Sequence, residues 1–567
     1  MSSEINLLPT LRRYWGYDSF RPLQEKIVRS LLAGRDACVV MPTGGGKSLC
    51  YQLPAAMLPE KTVIVVSPLI ALMQDQVAQL AQMGISAALL NSAVPAEEQR
   101  AIMRDALNGK YRLLYLSPER LAVESTVSWL QRVPISMFAI DEAHCISEWG
   151  HEFRPEYRQM SRLRQKFPDQ PIAAFTASAT QRVRHDIIDQ LKLREPHKYI
   201  ASFHRPNLRY VVKECDALTQ PDLLIAALRE YSGANVIVYS PTIAKVGDTV
   251  SFLKEKGIKA IGYHGKMNSD ERRRNQELWM SDEVRVLVGT VAFGLGINKA
   301  AVRAVIHLSL PKSIEQFYQE AGRAGRDGLP ADCILLWQKQ DASLLNYFMN
   351  QLMDPMEQDR ARERYRTIRE FVDSNSCRHR QICLHFGEKP KWKTCAACDA
   401  CGYKLKSLSP PAIAKRATHV DAERIPAAAK KRDRRRRRLT DVTTTGAGEL
   451  LNAALYKHLR EWRRAKAKEL GIGAFIIMHD TTLEDLCFKR PSSLAGIREV
   501  SGFGERKTEL YGREILRALE EFGGHAGAAR QSGISNEVLA KAAAVSVAKA
   551  ESRPRTRTGG WWGARSR

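Results

Sequence analysis

The stretch MPTGGGKS, residues 41–48, decides the architecture of the first part of the chain. An apolar run over residues 36–41 predicts a strand that leads into it, and residues 47–58 predict a helix that leads out of it. Gly44, Gly45 and Gly46 let the backbone turn tightly enough for successive amides to face one phosphate chain. The N-terminus of the helix adds partial positive charge at the same place. The stretch therefore predicts a phosphate-binding loop on an α/β sheet.

The polar side chains of this loop have expected roles. Lys47 can reach the terminal phosphates of a nucleotide, and the Ser48 hydroxyl can hold a magnesium ion. The strict form of the motif begins with glycine, where this chain has Met41. A plain turn after a strand is the alternative, but the strand, the glycines, Lys-Ser and the helix together favour the phosphate site. We expect nucleotide contacts from Thr43, Gly44, Gly45, Gly46, Lys47 and Ser48.

The composition describes a large basic chain. Its 567 residues suggest three or four domains, and 44% hydrophobic residues can fill sizeable cores. The formal net charge of +25 points to a polyanion such as nucleic acid, although a merely basic protein with non-specific binding would carry the same charge. The N-terminal sequence has no apolar signal core, and there is no run of about eighteen apolar residues, so we expect no secretion and no membrane partner.

Short apolar runs alternate with helical stretches in the first 204 residues, as is typical of a parallel sheet covered by helices. Ligands of such sheets bind at the carboxyl ends of the strands. Asp141 and Glu142 follow one of these runs, residues 137–141. Asp141 can anchor magnesium through water and Glu142 can polarise an attacking water. A solvated acidic loop is the alternative, and the neighbouring phosphate loop favours the catalytic reading.

A second series of strand-like runs follows a connector over residues 203–210. It contains no second Gly-Lys-Ser, so we expect this part to complete the nucleotide site from across a cleft. Arg323 and Arg326 in the sequence GRAGR are the candidates. An arginine aimed at the γ-phosphate can accelerate phosphoryl transfer by about 10³–10⁵. A solvated basic loop is the alternative.

An aromatic segment, CISEWGHEFRPEY at residues 145–157, directly follows the four residues 141–144 that contain the acidic pair. Aromatic side chains stack on any base for roughly 1–3 kcal/mol each, and arginine attracts phosphate. Burial in a core is the commoner fate of such aromatics, but their polar neighbours favour a nucleic-acid contact. The interleaved residues are Trp149, His151, Phe153, Arg154 and Tyr157.

The 11 cysteines are an odd number, which suits a reducing compartment and a metal site better than a disulfide framework. Cys377 is followed by Cys395, Cys398 and Cys401, the last three as C-x2-C-x2-C. Four thiolates at such spacing can close a tetrahedral zinc site, and an iron–sulfur cluster is the alternative. Cys383 is a rival ligand. The others are expected to be ordinary buried thiols: Cys38, Cys50, Cys145, Cys215, Cys333 and Cys487.

Several motifs, in order along the chain, carry a resemblance to known proteins. MPTGGGKS, DEAH at residues 141–144, FTASAT at 175–180 and QEAGRAGRDG at 319–328 resemble the motifs of superfamily-two helicases. WGYDSFRPLQ at 15–24, together with the aromatic segment, narrows the resemblance to the RecQ family of DNA helicases. It covers about residues 10–402 and resumes near 449–522.

The resemblance implies an α/β fold of two tandem RecA-like parallel-sheet lobes, with a small helical zinc-binding subdomain and a C-terminal all-α HRDC-like domain. The expected boundaries are 1–204 for the first lobe, 205–340 for the second, 341–403 for the zinc-binding subdomain, 404–448 for a basic disordered linker, 449–523 for the HRDC-like domain and 524–567 for a disordered tail.

The resemblance also implies residue roles. Tyr17 stacks on adenine, Gln24 reads its edge and Arg21 supports the site. Arg326 is the arginine finger and Arg323 a second phosphate contact. The resemblance further implies that the aromatic segment couples DNA contact to hydrolysis through Trp149, His151, Phe153 and Arg154. It implies that Thr290 and residues 293–299 link ATP to DNA, with Asn298 in place of the aspartate of other helicases. It also implies that the zinc ligands are Cys377, Cys395, Cys398 and Cys401.

The segment after the cysteines departs from the family pattern. Most RecQ-like proteins carry a winged-helix domain there, whereas here residues 402–448 read as a linker that contains KKRDRRRRR at 430–438. We infer that the winged helix is absent and hypothesise that the arginine run partly replaces it; a plain tether or a localisation signal is the alternative. In the HRDC-like part, SGFGERK at 501–507 is either a phosphate contact or a packing turn. Trp561 and Trp562 lie near the end of a tail that is expected to be disordered.

The resulting expectation is an ATP- and magnesium-dependent 3′→5′ DNA helicase of recombination and repair. One alternative is a DNA-stimulated translocase or strand-annealing protein that unwinds weakly. Others are a non-enzymatic nucleic-acid scaffold and an RNA helicase. Expected cofactors are ATP, Mg²⁺ and Zn²⁺, and expected partners are single-stranded and forked DNA and a single-strand-binding protein. The expected location is the cytoplasm, at the nucleoid, if the host is bacterial.

Overall fold

A computed structural model of the chain describes residues 5–91, 94–150, 152–291, 299–408 and 445–531. Its centre is a pair of parallel sheets. The first has seven strands in the order β3-β4-β2-β5-β6-β1-β7. Its strands are β1 (Ala37–Val40), β2 (Thr62–Val66), β3 (Ala87–Leu90), β4 (Leu113–Leu116), β5 (Ile135–Ile140), β6 (Ile172–Thr176) and β7 (His197–Ile200).

Helices cover both faces of this sheet, which is why its inner strands are apolar along their whole length. The segment TVIVV of β2, for example, is buried at every position. The sequence did not predict the two edge strands. β3 is the short run AALL, in which only alternate positions are buried, and β7 is HKYI, in which half-buried and exposed positions alternate. The helices are α1 (Leu8–Trp15), α2 (Gln24–Leu32), α3 (Lys47–Met57), α4 (Ile70–Met83), α5 (Ala96–Leu107), α6 (Pro118–Leu121), α7 (Glu124–Leu130), α8 (Pro155–Arg158), α9 (Leu163–Lys166) and α10 (Gln181–Gln190).

The second sheet has six parallel strands in the order β10-β11-β9-β12-β13-β8. The predicted connector over residues 203–210 is shorter than expected, because a strand already begins at Leu208 and pairs with β13. The strands are β8 (Leu208–Glu214), β9 (Asn235–Tyr239), β10 (Ala260–Tyr263), β11 (Val286–Gly289), β12 (Val302–His307) and β13 (Ala331–Trp337), and the helices are α11 (Thr219–Glu230), α12 (Ile243–Glu255), α13 (Ser269–Met280) and α14 (Ile314–Ala321).

A helical segment follows and covers the edge strand β8. It contains α15 (Asp341–Asn350), α16 (Pro355–Asp373) and α17 (Arg378–His385), followed by a short 3-10 turn at Asp399–Cys401. The backbone amide of Tyr210 donates to the Ala397 carbonyl at 3.1 Å, and that of Val212 donates to the Asp399 carboxylate at 3.2 Å. These bonds satisfy an edge that would otherwise be open to pairing with another chain.

The sequence predicts a linker from residue 404, but its first residues are packed. Leu405 and Leu408 are buried in the core of the second lobe, and Lys213 Nζ donates to the Leu408 carbonyl at 2.6 Å. Hydrophobic burial therefore packs the predicted linker against the second lobe as far as the short turn Lys406–Leu408. Residues 409–444, including the arginine run, lie outside the described residues.

The C-terminal part is all helical, with α18 (Thr445–Leu470), α19 (Ala474–Ile477), α20 (Asp480–Lys489), α21 (Leu494–Arg498) and α22 (Glu505–Gln531). Leu455 and Leu459, which recur at helical spacing, are buried in its core together with Phe503. Helix α22 continues to Gln531, past the expected domain end at residue 523, and the rest of the tail, with Trp561 and Trp562, lies outside the described residues. Within the described ranges, no helix combines the length and the apolar character needed to cross a membrane.

The C-terminal helices pack against the first lobe at an unusually close backbone contact. A methyl group on Gly16, at the end of α1, would lie 2.6 Å from the Phe503 carbonyl, and one on Gly504 would lie 2.3 Å from the Arg13 carbonyl. Only glycine allows the two chains to approach so closely. The turn SGFGERK is therefore a packing turn here, the second of the two readings its sequence left open.

Candidate nucleotide site and its surroundings

The strand order of the first sheet brings three sequence motifs to one edge. β5, β6 and β1 are neighbours, and the segments DEAH, FTASAT and MPTGGGKS lie at their carboxyl ends. The Met41 amide donates to the Thr176 carbonyl at 3.0 Å, which ties the start of the phosphate loop to β6. This is the edge at which open parallel sheets bind ligands.

The phosphate loop has the conformation that its glycines permit. Gly44 and Gly46 both have φ of 80°, and Gly46 immediately precedes α3. The ammonium of Lys47 donates to the Met41 carbonyl at 3.2 Å, so the side chain folds back over the loop. The N-terminal amides of α3 and the Lys47 ammonium thus form one positively polarised pocket.

The residues expected at adenine lie beside this loop. The amide of Gln24 donates to the Gly46 carbonyl at 3.0 Å, and its Oε1 accepts from the Arg21 backbone amide at 2.8 Å. The Arg21 guanidinium donates to the Gly44 carbonyl. Burial raises the pKa of the half-buried Tyr17 phenol. Arg21 and Gln24 therefore brace the phosphate loop in this structure, and their contacts with a base stay a prediction.

The acidic pair follows β5 directly. Asp141 is almost fully buried, and burial, followed by the charge of Glu142, raises the pKa of its carboxyl to about 7 despite the opposing effect of Lys47. Glu142 has a φ of 47°, a conformation that costs side-chain-bearing residues of order 1–3 kcal/mol. Two neighbouring carboxylates beside a phosphate loop, one of them in a strained backbone conformation, fit a site for a divalent cation and an activated water.

A row of polar side chains leads from this pair to the second lobe. His144 Nδ1 lies 3.3 Å from Glu142 Oε2 and 2.9 Å from Thr176 Oγ1. Two residues further along, Ser178 Oγ accepts from the Gln319 amide of α14 at 2.8 Å. The motifs DEAH, FTASAT and QEAGRAGRDG are therefore joined by buried hydrogen bonds across the two sheets.

The arginine motif of the second lobe lies against the phosphate loop of the first. A methyl group on Gly44 would be only 3.3 Å from Arg326 Cγ. Arg323 is buried, and burial together with the nearby Arg323 and Arg205 lowers the pKa of Arg326 to about 9. Several guanidinium groups in one poorly solvated cleft favour a polyanionic ligand, because an anion relieves their mutual repulsion.

The aromatic segment is only partly available for stacking. Trp149 is half-buried, with the guanidinium of Arg182 3.0 Å and that of Arg360 5.5 Å from its ring centroid. The Arg158 guanidinium lies 5.3 Å from the ring of the half-buried Phe153. Arginine therefore covers both rings, and a base that stacks there displaces it.

The other three residues singled out in this segment are Tyr157, Arg154 and His151. Grouping Tyr157 with the stacking aromatics is wrong: it is fully buried, and its hydroxyl donates to the Asp141 carbonyl at 3.0 Å. It serves the acidic pair as a structural support. Arg154 is half-buried, while His151 lies outside the described residues.

The four predicted metal ligands come together. The Sγ atoms of Cys377, Cys395, Cys398 and Cys401 all lie within 4.8 Å of one another. Backbone amides donate to two of them, from Ala397 to Cys395 at 3.3 Å and from Arg378 to Cys398 at 3.4 Å. Cys383 is buried and does not belong to this group. Four sulfur ligands with amide support fit a tetrahedral zinc ion.

The segment expected to link ATP and DNA is described only at its ends. Residues 292–298 lie outside the described residues, and Thr290 follows β11. Lys299 is buried and its ammonium donates at 2.5 Å both to the Trp279 carbonyl and to Asp282 Oδ1. Asp282 also pairs with Arg460 of α18 at 2.7 Å, so this loop of the second lobe holds the C-terminal helices.

Some residues in contact with the site were not singled out from the sequence. Arg205 follows the first sheet and bonds to both lobes at the cleft, and Thr176, Ser178 and Gln319 join the motifs described above. The latter three lie inside quoted motifs, which was an available signal. Arg205 carries no local signal, since a single arginine in a connector is usually a solvated charge.

Comparison with known proteins now adds to this geometry. The family model of the DEAD/DEAH box helicases matches residues 21–187, and that of the helicase conserved C-terminal domain matches 219–328. The RecQ zinc-binding model matches residues 339–402, and the HRDC domain model matches 452–519. The four models follow the order of the two sheets, the cysteine segment and the C-terminal helices.

Curated relatives agree with these matches. The ATP-dependent DNA helicase RecQ of Bacillus subtilis is 33% identical over 587 residues, which cover 90% of this chain and 98% of that protein. The protein of the same name from Haemophilus influenzae is 42% identical over 405 residues, 71% of this chain and 64% of that relative. The crystal structure of the DUF1998 helicase MrfA bound to DNA is similar in fold, with a TM-score of 0.50, 19% identity, and coverage of 62% of this chain and 51% of that chain.

Proposed function

The chain belongs to the RecQ family of DNA helicases, and from this we propose that it is an ATP-dependent DNA helicase. ATP hydrolysis would drive its movement along one strand and the separation of duplex DNA. The observation that carries the proposal is the contact between Arg326 and the phosphate loop at Gly44. Such a site holds a nucleotide from both lobes, so that cleavage can change how the lobes meet.

The proposed chemistry assigns a role to each polar group. Lys47 and the amides of Gly44, Gly45 and Gly46 bind the phosphates, and Ser48 and Asp141 would hold Mg²⁺, which neutralises the phosphate charge. Glu142 orients and deprotonates the attacking water. Arg326 stabilises the charge that develops on the γ-phosphate, and Arg323 adds a second contact. Tyr17, Arg21, Gln24 and Thr43 complete the nucleotide site in this proposal.

The proposed DNA path crosses the aromatic segment. Trp149 and Phe153 would stack on bases while His151 and Arg154 contact the strand, with the arginines that now cover the rings moving onto phosphates. Because this segment begins three residues after Glu142, strand binding can move the catalytic carboxylate. We infer 3′→5′ travel and a role in recombination and repair from the family.

The metal and the partners follow the same reasoning. The four cysteines would hold Zn²⁺ and keep the helical segment on β8, a structural role, since the group has no open position for a substrate. The proposed partners are single-stranded and forked DNA and a single-strand-binding protein. DNA as substrate implies a location with the chromosome, which is the nucleoid in a bacterial cytoplasm.

A hydrolysis assay tests the enzyme class. We expect the wild-type chain to hydrolyse ATP with Mg²⁺, faster when single-stranded DNA is added, and Lys47→Ala to lose that activity because the phosphates lose their lysine contact. A matched control is Lys198→Ala, an exposed lysine on the edge strand β7. If the wild-type chain showed no DNA-stimulated hydrolysis, the proposal would be wrong, and a non-enzymatic nucleic-acid-binding scaffold would be the remaining interpretation.

An unwinding assay separates the helicase from the weaker alternatives. We expect the chain to separate forked duplexes with 3′ single-stranded tails better than blunt duplexes, because translocation needs a strand to grip. Hydrolysis and translocation without separation of either substrate would identify a translocase or annealing protein. Stimulation by RNA instead of DNA would support the RNA alternative.

A further inference from the structure

Arg205 lies in the short segment between the last strand of the first sheet, β7, and the first strand of the second, β8. Its guanidinium bonds to backbone on both sides of the cleft. Nη1 donates to the Thr43 carbonyl of the phosphate loop at 3.3 Å. Nη2 donates to the Ala324 carbonyl at 3.3 Å and to the Gly325 carbonyl at 3.0 Å. Two of these carbonyls thus lie in the turn between Arg323 and Arg326.

We propose that Arg205 is a positioning residue for ATP hydrolysis, which fixes the turn that carries Arg326 relative to the phosphate loop. The inference rests on the proposed function, because it concerns how the composite nucleotide site is assembled. Arg205 contacts main-chain oxygens in this structure, so its effect on the reaction passes through Arg326 and the loop.

The shape of arginine suits this task. A planar guanidinium presents several donors in a rigid fork, so that two of its nitrogens can serve different lobes at once. Asn207 supports the same turn, since its amide donates to the Gly325 carbonyl at 2.8 Å and to the Leu329 carbonyl at 3.0 Å. Asn207 Oδ1 also accepts from Arg205 Nε at 3.4 Å. A lysine at position 205 would keep the charge but not the fork.

The positions of the bonded atoms show which contact a substitution of Arg205 would disturb. The Thr43 carbonyl immediately precedes Gly44, the glycine against which the Arg326 side chain packs. Arg205 therefore joins, through main-chain carbonyls, the phosphate loop and the turn that carries Arg326. A shift of about 1 Å in the position of a reacting group can cost roughly 100-fold in rate. Nucleotide affinity should change less, because Lys47 and the N-terminus of α3 belong wholly to the first lobe.

The first test compares the same substitution at two arginines of one segment. Arg205→Lys should lower kcat for DNA-stimulated ATP hydrolysis roughly 10- to 100-fold, with KM for ATP changed by less than about threefold. Arg209→Lys is the matched control, because among the described residues Arg209 forms one ion pair, to Asp332 at 2.5 Å, and lies 4.9 Å from the Tyr403 ring, and a lysine can keep the ion pair. That variant should hydrolyse ATP at the wild-type rate.

The second test is a double-mutant cycle with Arg326→Ala. If Arg205 acts through Arg326, adding Arg205→Ala to Arg326→Ala should lower kcat by less than about twofold further, although Arg205→Ala alone lowers it about 100-fold. A merely structural role would give losses that multiply, and that result would overturn the proposal, as would an unchanged kcat in Arg205→Lys. An inactive wild type would instead contradict the proposed function, so the two failures are distinguishable.

Discussion

At the scale of single residues, buried contacts hold the acidic pair Asp141 and Glu142 in place. Tyr157 and Asp141 are buried beside the half-buried Glu142, and the Tyr157 hydroxyl donates to the Asp141 carbonyl at 3.0 Å, so that it supports the backbone of the acidic pair. Glu142 keeps a left-handed backbone that its sequence neighbours do not require. Such strain persists only where surrounding contacts fix it, which is consistent with a catalytic role.

His479, at the start of α20, gives a pH-dependent prediction. Burial, and then the charges of Lys507, Arg463 and Arg21, lower the pKa of its imidazole to about 4, with Asp480 opposing. Its folded pKa thus lies below the ordinary value of about 6.5. Between these values the unfolded state binds a proton that the folded state does not, so stability falls as the pH falls through that window.

We expect the C-terminal helices to lose roughly 1–3 kcal/mol of stability between pH 7 and pH 4 because of His479. The measurement is hydrogen exchange of residues 505–523 in the full chain, corrected for intrinsic rates. His479→Gln should flatten the pH dependence, and His185→Gln, at an exposed histidine of α10, should leave it unchanged. Equal pH dependence in wild type and His479→Gln would contradict the assignment.

At the scale of elements, the cysteine segment combines hydrophobic burial with a thiol cluster. Ile382 and Phe386 are buried in the main core, and the Phe386 ring stacks on Phe203 with centroids 4.3 Å apart. The part that carries the last three cysteines is held by backbone bonds to β8 and by the ion pair of Arg378 with Asp399 at 3.0 Å. Because metal binding at such sites contributes about 10–16 kcal/mol, we expect this part to lose its order when the metal is removed.

Zinc content is the measurable consequence. We expect one zinc per wild-type chain by elemental mass spectrometry, and its loss in Cys398→Ser, together with rapid proteolysis within residues 341–403. Cys215→Ser is the control, because Cys215 lies outside the thiol cluster. Iron in place of zinc would establish the cluster alternative, and full zinc content in Cys398→Ser would contradict the ligand assignment.

At the scale of the whole molecule, the C-terminal helices contact both lobes. On the first lobe, Tyr511 donates to Gln82 of α4 and Arg13 pairs with Glu505 at 3.2 Å. On the second, Asp282 receives both Lys299 and Arg460, and although burial raises the pKa of Asp282, Lys299 and Arg460 lower it below its ordinary value. Buried pairs of this kind cost about 3–5 kcal/mol when one partner is removed.

A pair of neighbouring acids tests this docking. Asp282→Asn should speed hydrogen exchange in α18, since Arg460 loses its buried partner. Glu283→Gln should have little effect, because its pair with Arg464 at 3.4 Å is half-exposed on both sides and exposed pairs contribute little. Equal exchange in the two variants would show that Asp282 does not hold the C-terminal helices to the second lobe.

The part of the fold that the sequence predicted is the part with continuous local patterns. Buried inner strands such as β2 and β5 read as apolar runs, and the phosphate loop with α3 is specified within a few residues. The short strands β3 and β10, which mix buried and half-buried positions, and β7, which has no buried position, did not stand out, and the start of β8 was read as connector. Their strand character depends on neighbours supplied by distant segments.

The sequence by itself predicted the phosphate loop, the group of four cysteines and the family, because these depend on residue types at short fixed spacings. Only the tertiary structure decided that Arg326 lies on Gly44, that Arg205 joins the two lobes, that Tyr157 is buried and that the C-terminal helices bind both lobes. Each of these contacts joins elements of different segments or the two sides of the cleft. Local pattern sets which elements form, but it does not set where one element meets another.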